Sequence, residues 1–300
     1  MPKGTLQLRR QIRSTGNTKK MTKAMELVSA AKMRKAIAAV LATRPYATFA
    51  WDVLRYLAGR TSDIADQPLL AVRAPRKVGV IVVSTNRGLC GSFNAVLASV
   101  VRKKIELVKK EGATWVEVYT IGKRCRDILA RAGLTVAGDF VKKDITVSVA
   151  DVLPLAHVIM KQYTAGEVDR VYLAYTDYVS SIKQVPTCIQ LLPLALEDVD
   201  EQHALPSSEG RQKELAQFLF EPSETQVLSY VIPRLLEVQL YQSVLESEAS
   251  EHSARMLAMH NASEAATDIL ADLRLSYNQI RQAGITQEIA EISSGRAALE

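Results

Sequence analysis

The C-terminal part of the sequence holds a long, uninterrupted helical pattern that limits what the chain can fold into. Fifty residues, from Arg234 to Ala283, pass without a glycine or a proline. Apolar residues recur across them at alternating spacings of four and three, which is typical of a helix that packs against another helix along one seam. At 1.5 Å per residue such a helix extends about 75 Å, far more than a globular domain requires. The predicted seam is Val231, Leu235, Val238, Gln242, Leu245, Ala249, His252, Met256, Met259, Ser263, Ala266, Leu270, Leu273, Tyr277 and Ile280.

A second helical pattern occupies the start of the chain, from about Thr5 to Ala58. Between Asn17 and Arg44 there is no glycine or proline, and residues with high helix propensity dominate. Pro45 lies inside the pattern and is expected to kink or interrupt the helix. The predicted packing stripe is a line of small or flexible side chains, namely Met21, Met25, Val28, Ala31, Ala38 and Ala42.

The charges of the two helical segments are complementary. Residues 1–44 contain eleven lysines and arginines against the single acid Glu26, whereas residues 234–300 contain ten acids against five arginines. Opposite charges beside the seams favour pairing of the two different helices over pairing of like with like. We therefore predict an antiparallel coiled coil of the N- and C-terminal helices. The carboxylates between Glu237 and Asp272 are expected to form a solvated face of it.

The two helices have unequal predicted lengths. The first helix has at most about 54 residues, and the last has about 75. About twenty residues of the longer helix therefore have no partner within the chain. At the C-terminus Ile285, Ile289, Ile292 and Leu299 fall on one helical face. If this end overhangs, its apolar stripe requires cover from another protein. The sequence alone does not decide which end overhangs.

The middle of the chain changes its hydrophobic period. The segment "KVGVIVVS" is a continuous apolar run typical of a strand covered on both faces. "WVEVYTIG" and "RVYLAYT" are two further predicted strands and "PTCIQLLPL" a weaker fourth, with helices predicted at 95–110, 123–132 and 152–164. This alternation predicts a Rossmann-like α/β domain with a largely parallel sheet. The predicted division is helix 1–58, linker 59–75, α/β domain 76–196, linker 197–222 and helix 223–300.

No catalytic, cofactor or metal site is predicted. The loop "STNRGLCGSFN", residues 84–94, follows the first strand, but its Gly88-x-x-Gly91 spacing matches neither a dinucleotide-binding loop nor a P-loop. A tight structural turn is therefore favoured over nucleotide binding. Cys90 in this loop has no histidine partner in the pattern, so a buried thiol is favoured over a nucleophile. No apolar run reaches the roughly 18 residues of a membrane span, so any membrane association is expected to be indirect.

Three segments together resemble the γ subunit family of rotary ATP synthases. They are "TKKMTKAMELVSAAKMRKA" near the start, "STNRGLCGSFN" after the first strand and "ITQEIAEISSGRAA" at the end, with "KQVPTCIQLLPL" and "EHSARMLAMHNASEAA" between them in the same order. The resemblance implies a central shaft whose C-terminal tip lies in an apolar sleeve formed by three α and three β subunits. It also implies that the base contacts the ε subunit and the ring of c subunits.

The resemblance further implies which residues contact the hexamer of α and β subunits. The candidates on the first helix are Lys20, Lys23 and Met25, and those on the last are Arg255, Arg281, Gln282, Thr286, Glu288, Ile289, Ile292 and Leu299. They would act by stabilising different states of the hexamer, not by acid–base chemistry. His260 and Arg296 depart from the residues usual in the family.

Two other classes of protein remain open from the residues alone. One is a nucleotide-dependent enzyme with a Rossmann-like core and a helical arm, which would need a phosphate-binding loop. The other is a coiled-coil adaptor or a nucleic-acid binder that uses the basic first helix. The rotor subunit alone explains an apolar tip without an internal partner, and it implies no nucleic-acid partner. The lack of a transit peptide favours a bacterial protein at the cytoplasmic face of the cell membrane.

Overall fold

The computed structural model describes residues 3–58, 67–143, 148–194, 221 and 223–297. Two long helices, α1 (Lys3–Ala58) and α5 (Glu224–Ala297), flank a set of strands and shorter helices. In chain order these are β1 (Lys77–Val83), α2 (Phe93–Lys110), β2 (Trp115–Ile121), α3 (Lys123–Arg131), β3 (Val136–Phe140), a 3-10 turn (Val149–Asp151), α4 (Leu153–Thr164), β4 (Arg170–Tyr178) and β5 (Gln184–Leu192). The predicted fold class, long terminal helices with an inserted Rossmann-like α/β domain, is confirmed.

The chain divides into two compact units. The first comprises Met1–Ala30 and Arg255–Glu300, and the second comprises Ala31–Ala254. The first unit therefore contains the start of α1 and the end of α5, and the second contains the sheet with the remaining parts of both helices. Leu299 and most of the two predicted linkers lie outside the described residues.

The sheet has the order β3-β2-β1-β4-β5. β1 pairs in parallel with β2 and β4, β3 is parallel to β2, and β5 alone runs antiparallel, to β4. The largely parallel sheet and four of its strands were predicted. Strand β3 was not predicted, because this short edge strand contains Gly138 and Asp139, which lower its strand propensity.

The central strand β1 is covered on both faces, as its apolar run predicted. Val80 and Val82 pack with Leu97 and Val101 of α2 in one cluster of buried residues. On the opposite face Ile81 belongs to a second cluster. That cluster also holds Val40, Trp51 and Leu54 of α1, Leu155 and Ile159 of α4, and Leu240, Val244 and Leu245 of α5. The long helices thus supply much of the core on one face of the sheet.

The predicted seam of α5 is confirmed over most of its length. From Leu235 to Leu270 every seam position is buried except the half-buried Met256, and exposure then increases toward Ile280. Between Leu235 and Ser253 all residues are buried, including those outside the seam. This part of the helix is therefore enclosed by protein on all sides.

The expectation of a solvated carboxylate face along α5 is wrong for its first half. Glu237, Glu246, Glu248 and Glu251 are buried, whereas the predicted face is exposed only farther along, where the carboxylates are Glu264, Asp268 and Asp272. The buried carboxylates have polar partners: Arg234 donates to Glu237, Gln242 to Glu246 and Lys142 to Glu251. The periodicity of the sequence does not indicate that a helix is surrounded by protein on every side. The burial of these carboxylates was therefore not predicted.

The predicted packing stripe of α1 is also wrong. Met21, Val28, Ala31, Ala38 and Ala42 are exposed, and only Met25 is half-buried. The line that is buried or half-buried within the first unit alternates by three and four residues through Thr5, Leu8, Ile12, Thr15, Lys19, Thr22, Glu26 and Ser29.

The physical reason for this difference is hydrogen bonding within the helix. Thr22 Oγ1 donates to Lys19 O at 3.0 Å, and Ser29 Oγ donates to Met25 O at 2.7 Å. Small hydroxyl side chains that are satisfied by their own backbone can be buried at a helix interface with little penalty. A prediction based on apolar residues alone therefore assigned the wrong face of α1 to the helix interface.

The expected interruption of the first helix at Pro45 does not occur, since α1 runs through this residue. A proline inside a helix removes one backbone hydrogen bond and disturbs the preceding turn. Val40 on one side and Trp51 and Leu54 on the other are buried in the same cluster. Their burial offsets the cost of the proline.

Candidate functional site

The loop of residues 84–94, after β1, is the place where a Rossmann-like sheet would bind a nucleotide, because ligands bind beyond the carboxyl ends of the strands where strand order reverses. Here the loop's polar groups bond to one another. Asn94 Nδ2 donates to Thr85 Oγ1 at 2.9 Å and to Cys90 Sγ at 3.3 Å, and Thr85 Oγ1 donates to Arg87 O at 2.7 Å. The loop is thus closed by its own side chains.

The neighbouring loop after β2 packs directly onto the same segment. Ser84 Oγ donates to Gly122 O at 2.9 Å, and a Cβ at Gly122 would lie 2.5 Å from Ser84 O. Gly88 lies beneath the guanidinium of Arg124, whose Nη2 would be 3.5 Å from an added Cβ. These contacts pack the two loops closely together, which favours the structural turn over the nucleotide-binding loop.

Replacing Gly122 with alanine tests this close packing. Gly122 has φ +101°, and an added Cβ would collide with the backbone oxygen of Ser84. Because that oxygen belongs to the main chain, relieving the collision would require a shift of the backbone. We expect Gly122→Ala to lower the free energy of unfolding by about 2–4 kcal/mol, measured by chemical denaturation. The matched control is Gly112→Ala, at φ +110° with nothing within 4 Å, where backbone strain alone should cost about 1 kcal/mol. Equal losses in the two variants would contradict tight packing of the two loops.

The cysteines are placed as structural thiols. Cys90 and Cys125 are buried, and Cys188 is half-buried. Burial raises the pKa of the Cys125 thiol to about 12 and that of the Cys188 thiol to about 11. Because the thiolate is the nucleophile, such thiols are inert at neutral pH.

Among the residues that the structure describes, no group of three or more His, Cys, Asp or Glu side chains could hold a metal ion.

The raised pKa of Cys125 gives a direct prediction for alkylation. At pH 8 an ordinary thiol is partly ionised, whereas a thiol with a pKa near 12 is ionised only to about one part in ten thousand. We expect iodoacetamide at pH 8 to leave Cys125 unmodified in the native chain and to modify it fully in denaturant. Peptide mass spectrometry at increasing pH provides the measurement. Rapid native labelling at Cys125 would contradict a structural thiol.

The start of α1 and the end of α5 meet in the first unit through a small charged cluster. Glu26 Oε1 lies 3.3 Å from His260 Nδ1, and Lys23 Nζ donates to the same carboxylate at 2.9 Å. His260 Nε2 is in turn 3.3 Å from Glu264. The hydrogen bond from Lys23 is the main cause of a lowered pKa at Glu26, and the hydrogen bond of His260 adds to it. This cluster fixes Glu26 beside His260.

The contact of Glu26 with His260 shows which end of the longer helix overhangs. In an antiparallel pair, each step toward the start of α1 corresponds to a step toward the end of α5. The first residues of α1 therefore lie near Arg281. Beyond that point Ile285, Ile289 and Ile292 have exposed fractions of 49, 62 and 74%. The C-terminal tip overhangs and presents an uncovered isoleucine stripe, which we call the apolar tip.

The predicted contact residues fall into three groups in the structure. Lys20 and Lys23 are exposed on α1, and Met25 beside them is half-buried. Arg255 is buried, unlike the other described candidates on α5. The remaining described candidates are exposed on α5 beside or beyond the first residues of α1, namely Arg281, Gln282, Thr286, Glu288, Ile289 and Ile292. Leu299 lies outside the described residues.

An exposed apolar face on α1 was not predicted from the sequence. Leu6, Met21, Leu27 and Val28 are all more than half exposed on the first unit. Met21 and Val28 were assigned to the helix interface, and Leu6 and Leu27 were not singled out. A second line of positions spaced by three and four residues, which contains Thr22, Glu26 and Ser29, could have revealed this face. The bulky apolar residues lie off that line, so they would have been predicted to be exposed.

Comparison with known proteins gives a consistent result at the levels of family and fold. A family model described as ATP synthase matches residues 5–299. An ATP synthase gamma chain of Pelotomaculum thermopropionicum is 41% identical over 293 residues and one of Roseiflexus castenholzii is 42% identical over 298 residues, each covering 98% of both chains. A chain in the Euglena gracilis mitochondrial ATP synthase, in an assembly of OSCP, F1 and c-ring, shares the fold with a TM-score of 0.63. That match has 16% identity and covers 99% of this chain and 94% of the other.

Two long terminal helices, an inserted α/β domain, an uncovered apolar tip and a loop closed by its own side chains define a class of protein in which a pair of long helices carries an α/β insert. The chain belongs to the ATP synthase gamma chain family. Within the described residues no helix is long and apolar enough to cross a membrane.

Proposed function

We propose that this chain is the central rotor subunit of a rotary ATP synthase, which couples transmembrane proton flow to ATP synthesis and hydrolysis by turning inside a hexamer of three α and three β subunits. The observation that carries the proposal is the apolar tip. Three isoleucines on an overhanging helix are costly to leave in water, and their burial in a sleeve of other subunits would recover that free energy.

In this proposal the chain acts without a catalytic site of its own. The loop after β1 is filled by its own side chains, and the cysteines are buried or half-buried with raised thiol pKa values at Cys125 and Cys188. Catalysis would occur on the hexamer. The chain would alter the affinities of successive sites by making different contacts with each of them as it turns.

The proposed hexamer-facing surface combines charged and apolar side chains of the first unit. Lys20, Lys23 and Met25 would contact the hexamer from α1, together with the exposed Leu27 and Val28. From α5 the contacts would be Arg281, Gln282, Thr286, Glu288, Ile289, Ile292 and Leu299. Because Arg255 is buried, it would act through its neighbours rather than by direct contact.

The partners proposed for the α/β domain are the ε subunit and the ring of c subunits. The enzyme would lie at the cytoplasmic face of a bacterial cell membrane with this chain attached peripherally. The excess of basic residues on the start of α1 suits acidic loops of the hexamer. Part of that charge is already paired within the chain, as at Lys23 with Glu26. Nucleic acid is therefore not proposed as a partner.

The test is co-expression of the α and β subunits with and without this chain. We expect a complex with one copy of the chain for every three αβ pairs, and faster ATP hydrolysis than the α and β subunits achieve alone. Native mass spectrometry gives the stoichiometry and a coupled assay gives the rate. A chain that neither joins the hexamer nor changes its rate would refute the proposal.

A further inference from the structure

The part of α5 that faces the carboxyl end of β1 is held by directional polar bonds. Ser247 Oγ donates to Val83 O at 3.3 Å. One helical turn later Glu251 Oε2 accepts a hydrogen bond from Lys142 Nζ at 2.6 Å. The second unit therefore contains a buried ion pair between α5 and the segment that follows β3.

Lys142 joins three parts of the α/β domain at this point. Its Nζ also donates to Ser84 O at 3.1 Å, and its own carbonyl oxygen accepts a hydrogen bond from Asn86 Nδ2 at 2.8 Å. The loop after β1, the segment that follows β3 and the enclosed part of α5 are thus connected through one lysine side chain and its backbone.

A second set of bonds lies a short distance along the same helix. Ser253 Oγ donates to Ser181 O at 2.6 Å, and Gln184 Nε2 donates to Ser253 Oγ at 3.4 Å. These bonds connect α5 to the turn between β4 and β5. This part of α5 therefore has two separate polar attachments to the α/β domain.

The burial of the ion pair limits its net contribution to stability. The side chains of Lys142 and Glu251 are 4 and 9% exposed. Desolvation of two charges offsets most of their attraction, so an apolar pair of similar size often gives equal or greater stability. Apolar side chains, however, tolerate small rotations and slips, whereas a hydrogen-bonded ion pair has one favoured arrangement.

We propose that the Lys142–Glu251 pair sets the angular position of α5 on the sheet, so that torque applied to the α/β domain reaches the helix without slip. The inference rests on the function proposed above, in which the c-ring turns the α/β domain and α5 carries the rotation to the hexamer. Lys142 and Glu251 are positioning residues in this scheme. Neither contacts a nucleotide or a catalytic group.

The experiment uses the complete enzyme reconstituted in vesicles, with the double variant Lys142→Met and Glu251→Met. ATP hydrolysis and proton pumping are measured on the same preparation. We expect hydrolysis to stay within about twofold of the unmodified enzyme, because the apolar pair preserves the fold, while protons pumped per ATP fall about threefold or more. Lys143→Met is the matched control, since this neighbouring lysine is exposed, and it should pump normally.

Each other outcome overturns the inference. If hydrolysis and pumping fall together with an unchanged ratio, the pair serves stability alone. If the ratio stays at the unmodified value, torque does not pass through this contact. Should the methionine pair prevent assembly, Glu251→Gln replaces it, with an expected fall of about twofold in protons per ATP. An unchanged ratio of protons pumped to ATP hydrolysed in Glu251→Gln would also contradict the inference. Failure of the proposed function would give a different result, because an enzyme that lacks this chain would then still pump protons.

Discussion

Removal of the residues after Gly284 is expected to weaken binding of the chain to the αβ hexamer by about 10²- to 10⁴-fold. Ile285, Ile289 and Ile292 are half to three-quarters exposed in the isolated chain. Their burial in a partner would contribute about 1–2 kcal/mol each. The melting temperature of the chain alone should not change, since these residues make no part of the buried seam. Dissociation kinetics on an immobilised hexamer measure the effect.

A matched pair of variants separates the apolar stripe from helix length. Replacing the three isoleucines with serine keeps the length of α5 and should reproduce most of the loss. Replacing Gln287 and Glu291 with serine changes polar residues on the same tip, where the two side chains bond to each other at 2.9 Å. That control should bind nearly as well as the unmodified chain. Equal binding by the serine-for-isoleucine variant would show that the apolar tip is not covered by the hexamer.

Replacing Glu251 with alanine is expected to lower the free energy of unfolding by about 3–5 kcal/mol. The change removes the carboxylate from the buried Lys142 ammonium, which would then lie desolvated without its ionic partner. The cost arises from this uncompensated charge and not from the net value of the pair. Chemical denaturation of the isolated chain measures it, at neutral pH and moderate salt.

Glu264→Ala is the control for the same helix and the same substitution. Glu264 is exposed and contacts His260 at 3.3 Å, an interaction that solvent screens. We expect a change below about 0.5 kcal/mol. If both variants lose the same stability, or if Glu251→Ala loses none, burial of the Lys142–Glu251 pair does not make the removal of one partner costly.

The features that could be predicted from the sequence are those carried by long repeats. The seam of α5 follows from the spacing of apolar residues, and strand β1 follows from an unbroken apolar run. The overhang followed from the unequal lengths of the two helical patterns. Local preference and packing agree in these segments, so a single periodicity is sufficient to identify each of them.

The features that the sequence could not provide depend on what surrounds a residue. Glu246 and Glu251 occur in a pattern that resembles a solvated helix face, and they are buried because the sheet and two other helices enclose that part of α5. On α1, Thr22 and Ser29 lie on the buried line because their hydroxyls bond to their own helix. The short edge strand at Gly138 was missed for a related reason, since pairing with β2 outweighs its weak propensity.

Direct observation of rotation tests whether this chain turns inside the αβ hexamer. A bead attached through Lys103→Cys, an exposed position on α2, reports the movement of the chain while the αβ hexamer is fixed to a surface. We predict that ATP hydrolysis drives continuous rotation in one direction, in three equal steps per turn. Steady hydrolysis by the same complexes with a stationary bead would contradict a rotor function for this chain.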